Sequence, residues 1–249
     1  PSAFDHRLAW MGTEAATVAA HLGLVRFTGD LPDWAIQLRQ ILGTLPEVDP
    51  TDRGSLPFAA LIRPFVDHAR ISLEADWQDL FLPDAQNQML SALENELSHL
   101  AAPVFYLKLA LLRRQEAPGE TPNRTEVYDA FVADWLTSGF APFFREYAVL
   151  ARLMSVLLRD WLANTRHLIS ALQNDKAALS EMFCENKDPG RVSAVKTSLS
   201  DRHNGGKTVS ILTFDGGARI VFKPRDIGIE KAWFEFLDWL NARGGSFLC

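Results

Sequence analysis

Apolar positions recur with helical spacing through most of the chain and give way to strand-like alternation only near its end. Asp30 to Asp33 open a short helix, with Pro32 in the first turn, where a missing N–H does no harm. Its apolar face is Trp34, Leu38, Ile41 and Leu42, and Gly43 is its stop. From Pro57 onward, Phe58, Leu61, Ile62, Phe65 and Val66 form one stripe on one helical face. Pro64 lies inside that stripe and predicts a kink or a break. Asp84 is placed to cap a long helix running past Leu90, Leu93 and Leu97, which Pro103 is expected to kink or divide. Gln115 to Arg124, with Pro118, Gly119 and Pro122, predicts a loop. Val127 to Leu136 predicts a short amphipathic helix. Pro142 interrupts the next region, and Phe144 to Leu179 is helical with minor breaks, its stripe extended by Trp161, Leu162, Leu168 and Leu172.

The pattern changes near residue 185. Asn186 to Gly190 is a turn cluster, and Val192 to Leu199 alternates loosely as a strand does. Thr208 to Phe214 and Ala218 to Phe222 are β-rich and are joined by Asp215-Gly216-Gly217, a hairpin signal. Pro224 ends the second run. Ile229, Trp233, Phe236, Leu237 and Leu240 then mark an amphipathic helix that Gly244 stops. The expected fold is mainly α with a C-terminal α+β piece: a helical region over 1–185, and over 186–249 the start of a second unit with an antiparallel hairpin and a helix.

Composition narrows the class. With 47% apolar and 22% charged residues the chain can bury a core, which excludes disordered and low-complexity classes. A net charge of −6 argues against a nucleic-acid partner held by phosphate contacts. The 2 cysteines, Cys184 and Cys249, cannot build a disulfide framework and lack zinc-spaced partners, so a reducing compartment is expected. The apolar run Ala101 to Leu112 is broken by Lys108, and no stretch is long enough for a membrane span. The chain opens on Pro1 without a secretory pattern and stops just after a patterned helix, so it is expected to be a piece of a longer protein.

The candidate chemistry lies in SLSDRHNGGKTVSILTFDGGARIVFKPR, residues 198–225. Asp201 and His203 stand at i and i+2, so in an extended segment both address one substrate atom. A carboxylate beside an imidazole raises its pKa and holds its tautomer. A polar turn is the plainer alternative, and a metal pair would lack a third ligand. Asn204-Gly205-Gly206, followed by Lys207, lets backbone N–H groups approach a phosphate, though the same tripeptide makes an ordinary turn. Lys223 ends a β-rich run and could reach nucleotide phosphates, with Glu230 or Glu235 of the next helix to orient it. Otherwise it is an exposed strand-end lysine. Glycine loop, hairpin, lysine and helix follow the order of a kinase-like upper lobe, although the protein-kinase glycine pattern is absent.

The segments LSDRHNGGKTV, LTFDGG and IVFKPRDI closely resemble the dehydratase domain of type 2 lanthipeptide (lantibiotic) synthetases, the LanM family. The match is best over about residues 195–243, with PFAALIRPFVDHAR a looser one in the helical region. The resemblance implies a lipid-kinase-like fold in a cytoplasmic enzyme that uses ATP and Mg2+. It implies phosphorylation of Ser and Thr in a ribosomal precursor peptide, leader plus core. Elimination of phosphate would then give dehydroalanine and dehydrobutyrine. Zinc would belong only to a cyclase domain absent from this chain. By the same resemblance Lys223 matches the nucleotide-site lysine, and Asp201 and His203 match the Asp-x-His near the reacting phosphate. Asn204, Gly205, Gly206 and Arg225 match positions expected to bind the cofactor. The lower-lobe Asp and Asn of such a site would lie beyond Cys249, so this chain alone is expected to be inactive. Two alternatives stand beside this one: a non-catalytic helical scaffold that binds a peptide, and a kinase-like phosphotransferase without elimination. Whether export machinery is a partner is left open by the sequence.

Overall fold

The longest apolar stripes become the helices that carry the core. The structure, a computed structural model, describes residues 2–24, 29–43, 56–115, 124–138 and 140–243. The helices are α1 (Ala3–Met11), α2 (Ala15–Leu24), α3 (Asp33–Gly43), α4 (Ala59–Trp77), α5 (Pro83–Gln115), α6 (Arg124–Ser138), α7 (Ala141–Glu146), α8 (Ala148–Asn174) and α9 (Lys176–Phe183). Strands β1 (Val192–Lys196), β2 (Ser210–Phe214) and β3 (Arg219–Phe222) follow, and then α10 (Gly228–Ala242). The chain is thus mainly helical, with a small antiparallel sheet and a helix at its C-terminal end. No described helix is long and apolar enough to cross a membrane.

Neither Pro64 nor Pro103 breaks its helix. Pro64 sits inside α4 and Pro103 inside α5, and both helices run on. An internal proline removes one backbone bond and costs about 3 kcal/mol. Around Pro64 the fully buried Leu61, Ile62 and Phe65 offset that, since each such side chain contributes roughly 1.5–3 kcal/mol. Pro142 does not interrupt a helix but lies in the first turn of α7, where its fixed φ suits the position. Asp84 does not cap α5; it stands within the first turn, where its charge favours the helix N-terminus. The predicted helix from Phe144 divides at Tyr147 and Asp175 into α7, α8 and α9. The predicted loop at 115–124 and the stop at Gly244 fall almost wholly outside the described residues.

One core cluster joins helices and sheet. Trp77, Phe81, Leu90 and Leu93 are buried within it, as are Leu158 and Leu168 of α8 and Leu212 of β2. Its helical end is aromatic: Phe58 contacts Phe105, Tyr106, Tyr128 and Phe131, and Phe105 contacts Trp135 and Phe143. Phe58 precedes α4 with φ 59°, a left-handed conformation that a bulky side chain adopts only when its surroundings hold it there. Its N–H donates to the Tyr128 hydroxyl at 2.9 Å.

The hairpin forms as its turn predicts, and β1 adds to its other side, giving the order β1-β2-β3 with both pairs antiparallel. β1 is also fastened to the helices. Val192 N–H donates to the Leu80 carbonyl at 2.8 Å, Leu82 N–H donates to the Val192 carbonyl at 2.8 Å, and Val195 N–H donates to Gln88 Oε1 of α5 at 2.8 Å. The row Val195, Leu212 and Ile220 therefore packs inward, toward α5 and α8. The paired row Lys196, Ile211 and Val221 faces outward.

His68 of α4 and Arg166 of α8 line one cavity with Gln37 of α3. Burial, and then the Arg166 charge, hold the His68 imidazole below its ordinary value. The folded state therefore binds this proton less readily than the unfolded chain. Stability is lost as pH falls through the ordinary histidine range near about 6.5. We expect the Tm to drop between about pH 7 and about pH 5.5, and His68→Gln to flatten that drop. Parallel Tm curves for the two proteins would remove His68 as the cause.

Candidate active site

Sequence spacing and backbone geometry agree on the loop between β1 and β2. Its two arms are stitched together: Leu199 N–H donates to the Val209 carbonyl at 3.2 Å, Val209 N–H to Ser200 Oγ at 3.0 Å, and Ser198 N–H to Thr208 Oγ1 at 3.3 Å. At the tip, His203 and Lys207 exchange backbone bonds of 3.0 and 2.8 Å. Between them Asn204, Gly205 and Gly206 take φ of 40°, 78° and 81°. Two glycines are what such a turn requires, since only glycine adopts those angles without strain. Their N–H groups, and that of Asn204, donate to no group among the described residues. The turn is an exposed nest of free donors, a form suited to an anion.

The helical block holds this loop. From α8, Asn164 Nδ2 donates to the Gly205 carbonyl at 2.8 Å. From α5, Glu96 pairs with Arg202 and accepts a hydrogen bond from Ser198 Oγ at 3.2 Å. Neither Asn164 nor Glu96 was singled out by sequence. The available signal was a polar residue within a largely apolar helix face, Asn164 standing among Leu157, Trp161 and Leu168.

Asp201 and His203 are both exposed, and no hydrogen bond or ion pair joins them. Arg202, between them, turns instead to Glu96. Lys223 follows β3, continues the outward alternation of Val221, and is exposed. Extending the register that pairs Ser210 with Phe222 sets Lys223 opposite Val209, at the foot of the loop. Lysine and loop thus leave the sheet at the same end, on whose outward face Lys196 also lies. The expected carboxylate partners of Lys223 are engaged elsewhere: Glu230 pairs with Arg225, and Glu235 with Lys231 at 3.8 Å. Arg225, only five residues before Glu230, meets it first, and Lys231 lies one helical turn from Glu235. Lys223 has no ion pair among the described residues. No group of His, Cys, Asp or Glu among the described residues is clustered to hold a metal. On α10, Trp233, Phe236 and Trp239 lie exposed.

A domain of unknown function, DUF4135, matches residues 147–248, under half of the chain. That domain is typically found in LanM-type lanthipeptide dehydratases. The stretch spans α8, the sheet, the candidate loop, Lys223 and α10. No curated protein matches the chain.

Proposed function

We propose that this chain supplies the nucleotide-binding part of an ATP-dependent peptide dehydratase. Such an enzyme phosphorylates Ser and Thr of a ribosomal precursor peptide and then eliminates the phosphate. The observation that carries this reading is the free-amide turn of Asn204, Gly205 and Gly206 at the tip of a loop whose foot stands opposite Lys223, inside the DUF4135 stretch. Unsatisfied backbone donors and a lysine without a carboxylate partner are what a phosphate group would complete.

ATP supplies the phosphoryl group and Mg2+ offsets its charge. Mg2+ retains waters and phosphate ligands and needs only one or two carboxylates from protein. Asp201 is a carboxylate in the loop that fits this role. Lys223 holds phosphate oxygens as a point charge, and Ile211 and Val221 offer an apolar platform on the same sheet face. A Ser hydroxyl is a poor leaving group and its phosphate ester a good one. In the second step the Cα proton is removed, the Cβ–O bond breaks with its electron pair going to phosphate, and a carbon–carbon double bond forms. His203 assists that elimination by moving a proton. Arg225, held by Glu230, binds phosphate at the start of α10.

In the full-length protein, with a precursor peptide and MgATP, His203→Ala is expected to slow elimination more than phosphorylation. A general acid–base group typically contributes about 10²–10⁴-fold. Phosphopeptide then accumulates and is read by mass spectrometry. Dehydrated product at the normal rate would remove His203 from the chemistry.

A further inference from the structure

We propose that the cavity between the inner face of the sheet and α8 is an effector site for an uncharged aromatic small molecule with hydrogen-bonding groups, and that its occupant steadies the glycine turn from behind. The site stands apart from the dehydratase reading; only its link to phosphate binding rests on that reading. The cavity measures about 380 Å³, a size that suits a small molecule. Asp201, His203 and Lys223 do not line it.

Two buried hydroxyls mark it as a ligand site. Thr165 of α8 is 4% exposed and Ser210 of β2 is 7% exposed, and both line the cavity. Neither hydroxyl has a hydrogen-bond partner among the described residues. Ser210 stands opposite Phe222 at the loop end of the β2–β3 ladder, and its side chain points with Leu212 toward the helices. A buried hydroxyl left unpaired is costly, so both groups call for a partner inside the cavity.

The walls define the rest of the ligand. Leu157, Trp161 and Leu168 of α8 and Phe222 of β3 give it an apolar and aromatic lining. A flat ring gains offset or edge contacts with Trp161 and Phe222. A hydrocarbon would leave both hydroxyls unpaired, and a sugar would press its own hydroxyls against leucines. Charge on the ligand finds no complement. The lining carboxylates Glu96 and Asp160 are matched in number by Arg202 and Lys207. Glu96 pairs with Arg202, and Asp160 with Arg159 at 2.7 Å.

The cavity also reaches the turn. Ser198, Gly206, Lys207 and Thr208 of the loop line it, as does Asn164, whose Nδ2 donates to the Gly205 carbonyl at 2.8 Å. A ligand packed beneath these residues restricts the turn, and a turn already ordered loses less freedom when it binds phosphate. Effector and nucleotide should then each tighten the other by the same factor.

The probe is 2-quinolinone, a fused pair of rings with an N–H donor, a carbonyl acceptor and no charge. A ligand-observed NMR titration of the full-length protein should show saturable binding. The N-methyl derivative, which lacks the donor, and quinoline-2-carboxylate, which carries a charge, should each bind roughly tenfold more weakly. Thr165→Val and Ser210→Ala should each weaken 2-quinolinone by roughly threefold to tenfold. Both variants should fold, since neither hydroxyl is bonded within the protein, and circular dichroism checks this. Phe234→Ser, an exposed apolar change on α10, should leave binding unaltered. Saturating 2-quinolinone should tighten MgATP binding roughly fivefold. No saturable binding, equal binding of the carboxylate, or no effect of either hydroxyl variant would overturn the site. Displacement of 2-quinolinone by MgATP would do so too, by merging the cavity with the nucleotide site. Unchanged MgATP affinity would overturn the effector role. Saturable 2-quinolinone binding to a protein that binds no MgATP would retain the site and reject the dehydratase reading.

Discussion

Replacing Lys223 by alanine is expected to abolish ATP-dependent phosphorylation of the precursor peptide in the natural protein. Phosphoryl transfer depends almost entirely on positioning and charge stabilisation, so a lost phosphate-binding cation is costly. Removing one such preorganised group typically costs about 10²–10³-fold in turnover. The change should leave the fold intact, since Lys223 is exposed and forms no ion pair among the described residues. Circular dichroism and peptide binding serve as controls. Lys223→Arg keeps the charge but replaces a compact ammonium with a planar fork, so it should recover only part of the activity. Lys196 shares the outward face of the sheet and is the natural competitor for this role. Lys196→Ala should therefore have the smaller effect, and the reverse order would move the nucleotide site along the sheet.

The largest effect on stability is expected at Phe58. Its ring is fully buried and meets rings from α5 and α6. Truncation to alanine leaves a cavity in a cluster that cannot fully collapse, which typically costs about 3–5 kcal/mol. Against total stabilities of roughly 5–15 kcal/mol that is a large fraction. The backbone adds a second signature. Phe58→Gly removes the same ring but relieves the left-handed strain, worth about 1 kcal/mol, so glycine should be the less damaging of the two. Tyr128→Phe deletes the hydroxyl that receives the Phe58 N–H and should cost roughly 1–3 kcal/mol by leaving that donor unsatisfied. Denaturant midpoints for the three variants test this order. Alanine and glycine equal within error would mean that the φ of 59° stores no strain.

How far the fold could be read from sequence depended on the range of the interaction that decides each element. The β2–β3 hairpin rests on a local turn, Asp215-Gly216-Gly217, and so it was legible. The stripes of α4 and α8 were legible for the same reason. Pro64 does not break α4 because its penalty is local while the compensation is not: burial around Pro64 is set by neighbouring helices. The pairing of β1 with β2, its ties to Leu80 and Gln88, and the tail of the predicted strand becoming the stitched arm of the loop are all tertiary. At the candidate site the glycine turn was legible from its residue types. What holds it was not, because Asn164 lies 41 residues from Gly205, and Glu96 was not marked by any local pattern. The expected Lys223–Glu230 pair failed for a related reason: Arg225 is nearer to Glu230 in the chain.

The central claim is that one active centre first adds phosphate to a peptide hydroxyl and then removes it. The most direct test is a time course by mass spectrometry of the natural protein with its precursor peptide and MgATP. The account predicts a transient species heavier by one phosphate, followed by a product lighter than the starting peptide by one water for each residue modified. A stable phosphopeptide that never loses phosphate, or a peptide unchanged in mass, would contradict it.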